Sequence, residues 1–289
     1  EDGIRLQEVS EPIQFDGLLI EDSGGSGIFV AGPGVIRANQ LELRTNGGAG
    51  FSREGGFLEL LDSRLSDNGL VLPGGANLVL GRDVSGRVAS SAFNGGVGIR
   101  CVETSEVVIT DNILSNHEVG LISISARPRI TANQFNRNEL AMQVEGSTVP
   151  ARLDLNVFQN SERLLESSAS RVLKATNNWW GQADESWIEA RISGDVNWRP
   201  FLNFDPRAPV DFALKQNYPN PFNGITLIDY QIGINDPIVA GSIFPVQTTS
   251  GIAMGSEVNA GNESITRWID IPYAQPPLGD LRWRAPRKL

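Results

Sequence analysis

Cysteine and histidine are almost missing: the 289-residue chain carries one of each, Cys101 and His117. A single cysteine excludes a disulfide framework and any Cys-rich zinc site. A single histidine excludes most multi-His metal sites and leaves His117 as the one candidate base for a Ser-His-Asp arrangement. No apolar run approaches the roughly 18 residues of a membrane-spanning helix. Positive charge is also short, with 24 Lys+Arg against 34 Asp+Glu and a net charge of −10. That balance argues against a phosphate-tracking surface and a nucleic-acid partner. What remains is a chain 40% hydrophobic, rich in Gly (31) and long enough for one large or two ordinary domains. It opens on Glu1, with no charged stretch and apolar run ahead of it, so a processed product or a piece of a longer reading frame is expected.

A short pattern recurs: an apolar residue, two spacers, Asn or a small polar residue, one spacer, then a large apolar residue. It runs Ile109 to Leu114 around Asn112, Ile130 to Phe135 around Asn133, and Leu153 to Phe158 around Asn156. Looser copies centre on Asn39 and Ser63, a weak one on Asp83, and Asn177 closes the series. The anchors 39, 63, 83, 112, 133, 156 and 177 lie about 22 residues apart, too close for helix pairs with loops and right for one turn of a β-solenoid. The longest interval, 83 to 112, contains residues 90–96 and reads as an insertion in one turn. Each turn would lay short strands on those above and below, about 4.8 Å away. Apolar residues beside the Asn would stack inward. Asn suits the corner because it tolerates left-handed backbone and hydrogen-bonds along a stack of amides. Asn116, Asn138 and Asn160 recur as a second corner would require.

These repeats, followed by Asn177-Asn178-Trp179-Trp180-Gly181 and the segment from Gly194 to Leu202, resemble right-handed parallel β-helix repeat proteins over about residues 15–205. The resemblance implies an all-β fold: a right-handed parallel β-helix of about seven coils with a short hairpin or irregular C-terminal extension. It implies little about function, because the same scaffold serves lyases, hydrolases, epimerases and plain surface proteins. Trp179, Trp180, Trp187 and Trp198 cluster at the final coil, where a cap over the apolar column is needed. Sugar stacking is the functional alternative for these rings.

The repeat stops after residue 207. Leu214 to Asn223 (Leu-Lys-Gln-Asn-Tyr-Pro-Asn-Pro-Phe-Asn), with the alternating segment Thr226 to Ile232, closely resembles the start of the C-terminal sorting domain of type IX secretion substrates. That implies an extracellular or cell-surface location. Gly224 departs from the usual Pro, and only the first strand of the domain is present. From Pro245 the identity changes again. Val246 to Gly255 looks like the first hairpin of type-B carboxylesterases, and Ile271 to Pro286 is close to that family's N-terminal signature, with Asp270 in place of Gly. The expected organisation is therefore 1–207 β-helix, 208–236 Pro/Asn-rich linker and partial sorting strand, and 237–289 esterase-like fragment. Three identities in one chain point to a chimeric or truncated frame, or to a fusion.

Catalytic parts are not visible. No Gly-x-Ser-x-Gly elbow and no His-Gly-Gly-Gly loop occurs, and Gly24 to Gly27 is only a glycine-rich turn. His117 falls in a solenoid loop and reads as a solvated side chain. No catalytic residue is assigned. Asp62 and Asp111 precede corner residues, and Asp83 sits at a corner between them, making these three the candidate calcium ligands. Otherwise no cofactor is expected. The leading expectation is a secreted or surface β-helix protein, non-catalytic in this chain, with a polysaccharide or cell-surface glycan as candidate partner. The alternatives are the N-terminal part of a carboxylesterase fusion, and a polysaccharide lyase or glycoside hydrolase working on a solenoid face.

Overall fold

Residues 1–206, apart from 73 and 104–106, are described by a computed structural model, together with the backbone of seven strands between 213 and 268. The chain divides into two compact units, Glu1–Pro209 and Val210–Leu289.

The first unit is a solenoid of parallel strands. Three sheets run its length, with nine, seven and seven strands, and every neighbouring pair is parallel and one coil apart. The first coil sets the order: Ile4–Leu6 in the first sheet, Ile13–Asp16 in the second, Leu19–Glu21 in the third. Seven coils repeat this triplet, an eighth turn (Arg163–Ser167, Leu173–Lys174) follows, and the short strands Ile192–Ser193 and Val196–Asn197 pair on top of it. One short helix, Glu185–Glu189, interrupts the all-β pattern at the end, capped by the Asp184 carboxylate on the Trp187 N–H.

Alternation decides which side chains go inside. In the third sheet, Ile20, Leu43, Leu65, Phe93, Leu114, Phe135 and Phe158 stand in one register column and face the core. The bridge between Val157 and Trp179 adds Trp180 to the top of that column. Phe135 stacks on Phe158 (centroids 4.8 Å, 5°), and Phe158 on Trp180 (4.6 Å, 19°). The helix then lays Ile188 over the same end.

The corner between the second and third sheets carries the polar ladder. Each backbone N–H donates to the side-chain oxygen of its equivalent one coil on. Leu41 donates to Ser63 Oγ, Ser63 to Ser91 Oγ, Ser91 to Asn112 Oδ1, then Asn112 to Asn133, Asn133 to Asn156 and Asn156 to Asn178, all at 2.9–3.1 Å. The residue before each rung is left-handed: Gln40, Asp62, Ser90, Asp111, Ala132, Leu155 and Asn177, with φ between 49° and 59°. Repeating this turn without glycine costs about 1 kcal/mol per residue, and the ladder offsets it.

Three expectations about this corner are corrected. Asn39 is not a rung. It ends a strand two residues before Leu41, and its amide reaches Asp16 at the surface. Asn177 takes the left-handed place, and Asn178 is the buried rung. Asp83 is not a copy of this corner at all; Ser91 is. The long step is therefore Ser63 to Ser91, 28 residues, and residues 90–96 are an ordinary corner and strand. The insertion lies earlier, in the loop that projects Leu70, Val71 and Leu72 into solvent.

The described residues of the second unit lie in strands. Ile243–Thr248, Gly251–Ala260 and Glu263–Trp268 form an antiparallel sheet in which Thr248 pairs with Gly251. Tyr218–Asn223 pairs with Ile225–Leu227, and Ala213–Leu214 with Tyr230–Gln231, all antiparallel. A hairpin over Val246–Gly255 is common to many folds and specifies no family. The signature from Ile271 to Pro286, and most of the 208–236 linker, lie outside the described residues.

Candidate functional site

A groove of about 540 Å³ runs along the ladder corner over four consecutive coils. Its floor is the ladder itself, at Leu41, Ser63 and Ser91. One wall is the column of left-handed residues Gln40, Asp62, Ser90 and Asp111, whose backbone turns their side chains outward. The other wall is the first outward position of the third sheet, where Glu42, Arg64, Ala92 and Ile113 stand in register. Asp111 accepts a hydrogen bond from Thr110 Oγ1 (2.9 Å). Ile113 keeps 45% of its surface exposed and gives the groove an apolar patch.

Two of the three calcium candidates are thus in one wall. Asp62 and Asp111 are separated along the stack by Ser90. Asp83 lies elsewhere, at the corner between the first and second sheets, where its N–H donates to Glu103 O. Among the described residues, no three His, Cys, Asp or Glu side chains are grouped to hold a metal ion.

The tryptophans are not equivalent. Trp180 is fully buried and Trp198 is 6% exposed against Phe201, so neither presents a ring face to a ligand. Trp179 and Trp187 are half-buried, and the Arg191 guanidinium covers the Trp187 ring at 4.1 Å.

His117 is a correction. It is 2% exposed, a rung of a second ladder between the third and first sheets. Ser23 N–H donates to Asn46 Oδ1 (3.0 Å), Asn46 to Asn68 Oδ1 (3.1 Å), His117 to Asn138 Oδ1 (2.9 Å) and Asn138 to Ser161 Oγ (3.3 Å). Asn116 and Asn160 hold the left-handed places of this corner, and Asn138 is a rung. His117 Nδ1 lies 2.8 Å from Gly95 O, which makes it the protonated nitrogen and leaves Nε2 buried without a partner. A Cβ on Gly98 would lie 2.2 Å from Gly120 O and 3.0 Å from Nε2, so the next coil's backbone first, and the imidazole second, require that glycine. Desolvation holds its pKa below the usual value, against weaker opposing hydrogen bonds to Gly95, Phe93 and Gly96.

The sign of that shift gives a testable pH dependence. The unfolded chain protonates His117 near pH 6.5 and the folded chain resists, so stability is complete above that pH and falls as pH drops through it. Urea unfolding of the wild type should show a loss of about 1–2 kcal/mol between pH 7 and 5, before most carboxylates titrate. His117→Asn, which installs the commoner rung, should flatten that slope. An unchanged slope would assign the loss to other groups.

Among the described residues, one cation is hidden in the core. Arg53 is fully buried, with Nη2 donating to Gly32 O (2.9 Å) and Gly34 O (2.7 Å) and Nη1 to Val30 O (3.3 Å). Burial lowers its pKa, and it serves as a plug for a glycine-rich corner. Nothing in the repeat pattern distinguishes it from an outward Arg.

The stacked parallel coils, the internal ladders and the aromatic cap define a parallel β-helix. The model of the family described as right handed beta helix region matches residues 2–178, and the chain belongs to that family. No solved structure matches the chain significantly.

Proposed function

We propose that the chain is a secreted or cell-surface β-helix protein that binds carbohydrate, without catalysis, in the ladder-corner groove. The observation that carries this reading is the pairing of two walls at strand spacing: Gln40, Asp62, Ser90 and Asp111 facing Glu42, Arg64 and Ile113. Such an array offers hydroxyl, amide and carboxylate partners to sugar hydroxyls, with Ile113 for an apolar ring face. Three carboxylates against one guanidinium suit neutral or amino sugars. The sorting-like string from Leu214 to Asn223 supports the extracellular location.

A glycan array probed with the full chain tests this, with Asp62→Asn/Asp111→Asn as the comparison. Neutral or amino-sugar hits that weaken about tenfold in the double variant are expected, about 1.4 kcal/mol of lost binding. Hits that persist unchanged would move the site elsewhere. Release of reducing ends from a bound glycan would replace the binding reading with a hydrolytic one.

A further inference from the structure

The outward face of the first sheet changes character in the middle of the stack. Alternation puts polar residues outside the third coil, at Ser52 and Glu54, and outside the seventh and eighth, at Gln143, Glu145 and Glu166. In the fourth to sixth coils the same columns carry Val79, Val102, Ile122 and Ile124, and Val97 and Val119 stand at the strand entries. Ile122 is only 6% exposed yet stands outside the core cluster, so its neighbours cover it from the outer side. Arg100, in register with it, has Nε buried without a hydrogen-bond partner, as happens when a guanidinium stem lies on apolar neighbours.

A loop extends this surface. Leu70, Val71 and Leu72 are 65%, 75% and 46% exposed, the one run of exposed large apolar side chains among the described residues. Their backbone is held, since Gly69 N–H donates to Asn46 O (3.0 Å) and Leu72 N–H to Gly47 O (3.1 Å). Leu70 packs on Gly96, the residue before Val97, where a Cβ would lie 2.9 Å from Leu70 Cδ2. Apart from Arg100, the charges stand at the margins. Glu54 follows Arg53, which shares a column with Cys101, so it stands in the column of Val102. Arg163 begins the eighth coil in the column of Val119 and Leu140. Apolar patches rimmed by charge in this way mark association surfaces.

We propose that this face docks a second copy of the same chain, sheet on sheet, about a two-fold axis between the fifth and sixth coils. Such a contact must be self-complementary, because the same patch serves both copies. An axis perpendicular to the sheet reverses both the coil order and the strand direction. It lays Val102 against Val119 of the second copy and Ile124 against its Val97. The same operation sets Glu54 opposite Arg163 of the second copy, and by symmetry this pair occurs twice. Apolar residues thus meet at the centre and opposite charges at the rim, which fixes register more than it adds affinity. Moving the axis one coil either way would set Arg163 against Val102 or Glu54 against Val119, so the pattern selects one position. The contact is independent of the corner groove, which lies between the second and third sheets.

Sedimentation velocity of the full chain over a range of concentrations tests this. A monomer–dimer equilibrium is expected for the parent. Val102→Glu/Ile124→Glu should weaken it by about a hundredfold or more, since the dimer centre would then bury unpaired carboxylates. The rim charges supply a test that a folding defect cannot imitate. Glu54→Arg and Arg163→Glu should each weaken the dimer about tenfold, as two exposed attractive pairs become repulsive. The swap Glu54→Arg/Arg163→Glu should restore the parent's affinity. A parent that stays monomeric, a central variant that dimerises as the parent does, or a swap as weak as its single variants would each overturn the proposal. A monomer that instead floats with phosphatidylcholine vesicles would overturn it in favour of a lipid surface.

Discussion

Replacing Asn133 with alanine is expected to destabilise the solenoid by about 4 kcal/mol, among the largest effects of any single substitution. Its side chain makes five polar contacts in the interior, the two Nδ2 hydrogens being shared among three acceptors. Oδ1 accepts from Asn112 N–H (3.1 Å) and Asn112 Nδ2 (3.0 Å). Nδ2 donates to Ile109 O (2.8 Å), Thr131 O (3.0 Å) and Asn156 Oδ1 (3.1 Å). Alanine would strand these partners on three coils, and each buried group left alone costs roughly 1–3 kcal/mol. Asn133→Ser should lose about half as much, because serine already serves as a rung at Ser63 and Ser91. Asn39→Ala, which removes only a surface contact to Asp16, should lose less than about 0.5 kcal/mol. Urea unfolding of the three variants would decide it. Equal losses for Asn133→Ala and Asn39→Ala would mean that the ladder contributes nothing special.

Phe158→Ala is expected to cost about 3–5 kcal/mol. The ring is fully buried between Phe135 and Trp180, so its removal leaves a ring-sized gap under the cap. Surrounding backbone is held on both sides by ladder pairs and cannot collapse into the gap. Water reaching the indole of Trp180 should shift tryptophan emission to longer wavelength, a signature that a merely global loss of stability would not give under native conditions. Trp179→Ala, at a half-buried position, should lose less than half as much. A Phe158→Ala variant within about 1 kcal/mol of the parent would show that the helix and Ile188, and not the aromatic stack, close this end.

The fold was legible because its signal is repetitive. Asn112, Asn133 and Asn156 stand at rungs, each followed two residues later by a core residue, so the period and the inward column could be read together. Register was harder. Left-handed corners accept Asn as readily as the rung does, so Asn177 and Asn178 look alike until the backbone assigns one φ of 57° and the other a buried amide. Where the rung is Leu41, the pattern slid to the nearest asparagine, Asn39. Where the rung is Ser91, it slid to Asp83 and displaced the insertion. His117 was misjudged for a different reason. A histidine in a polar turn reads as solvated unless its neighbours are known to be rungs, and Asn138 one coil later was the available clue. The groove's residues were partly visible as Asp62 and Asp111, but the facing wall follows only from strand pairing.

The parallel register has a consequence for how the chain comes to be folded. The pairs that matter join residues 21 to 28 apart, so no part of the solenoid waits for a distant segment. Order can spread from one turn to the next, as in other one-dimensional arrays. On a ribosome adding about 5–20 residues per second, each new turn would be complete within roughly 1–4 seconds of the last. A defect such as a missing rung should then stall growth at its own turn, leaving earlier turns assembled and later ones waiting.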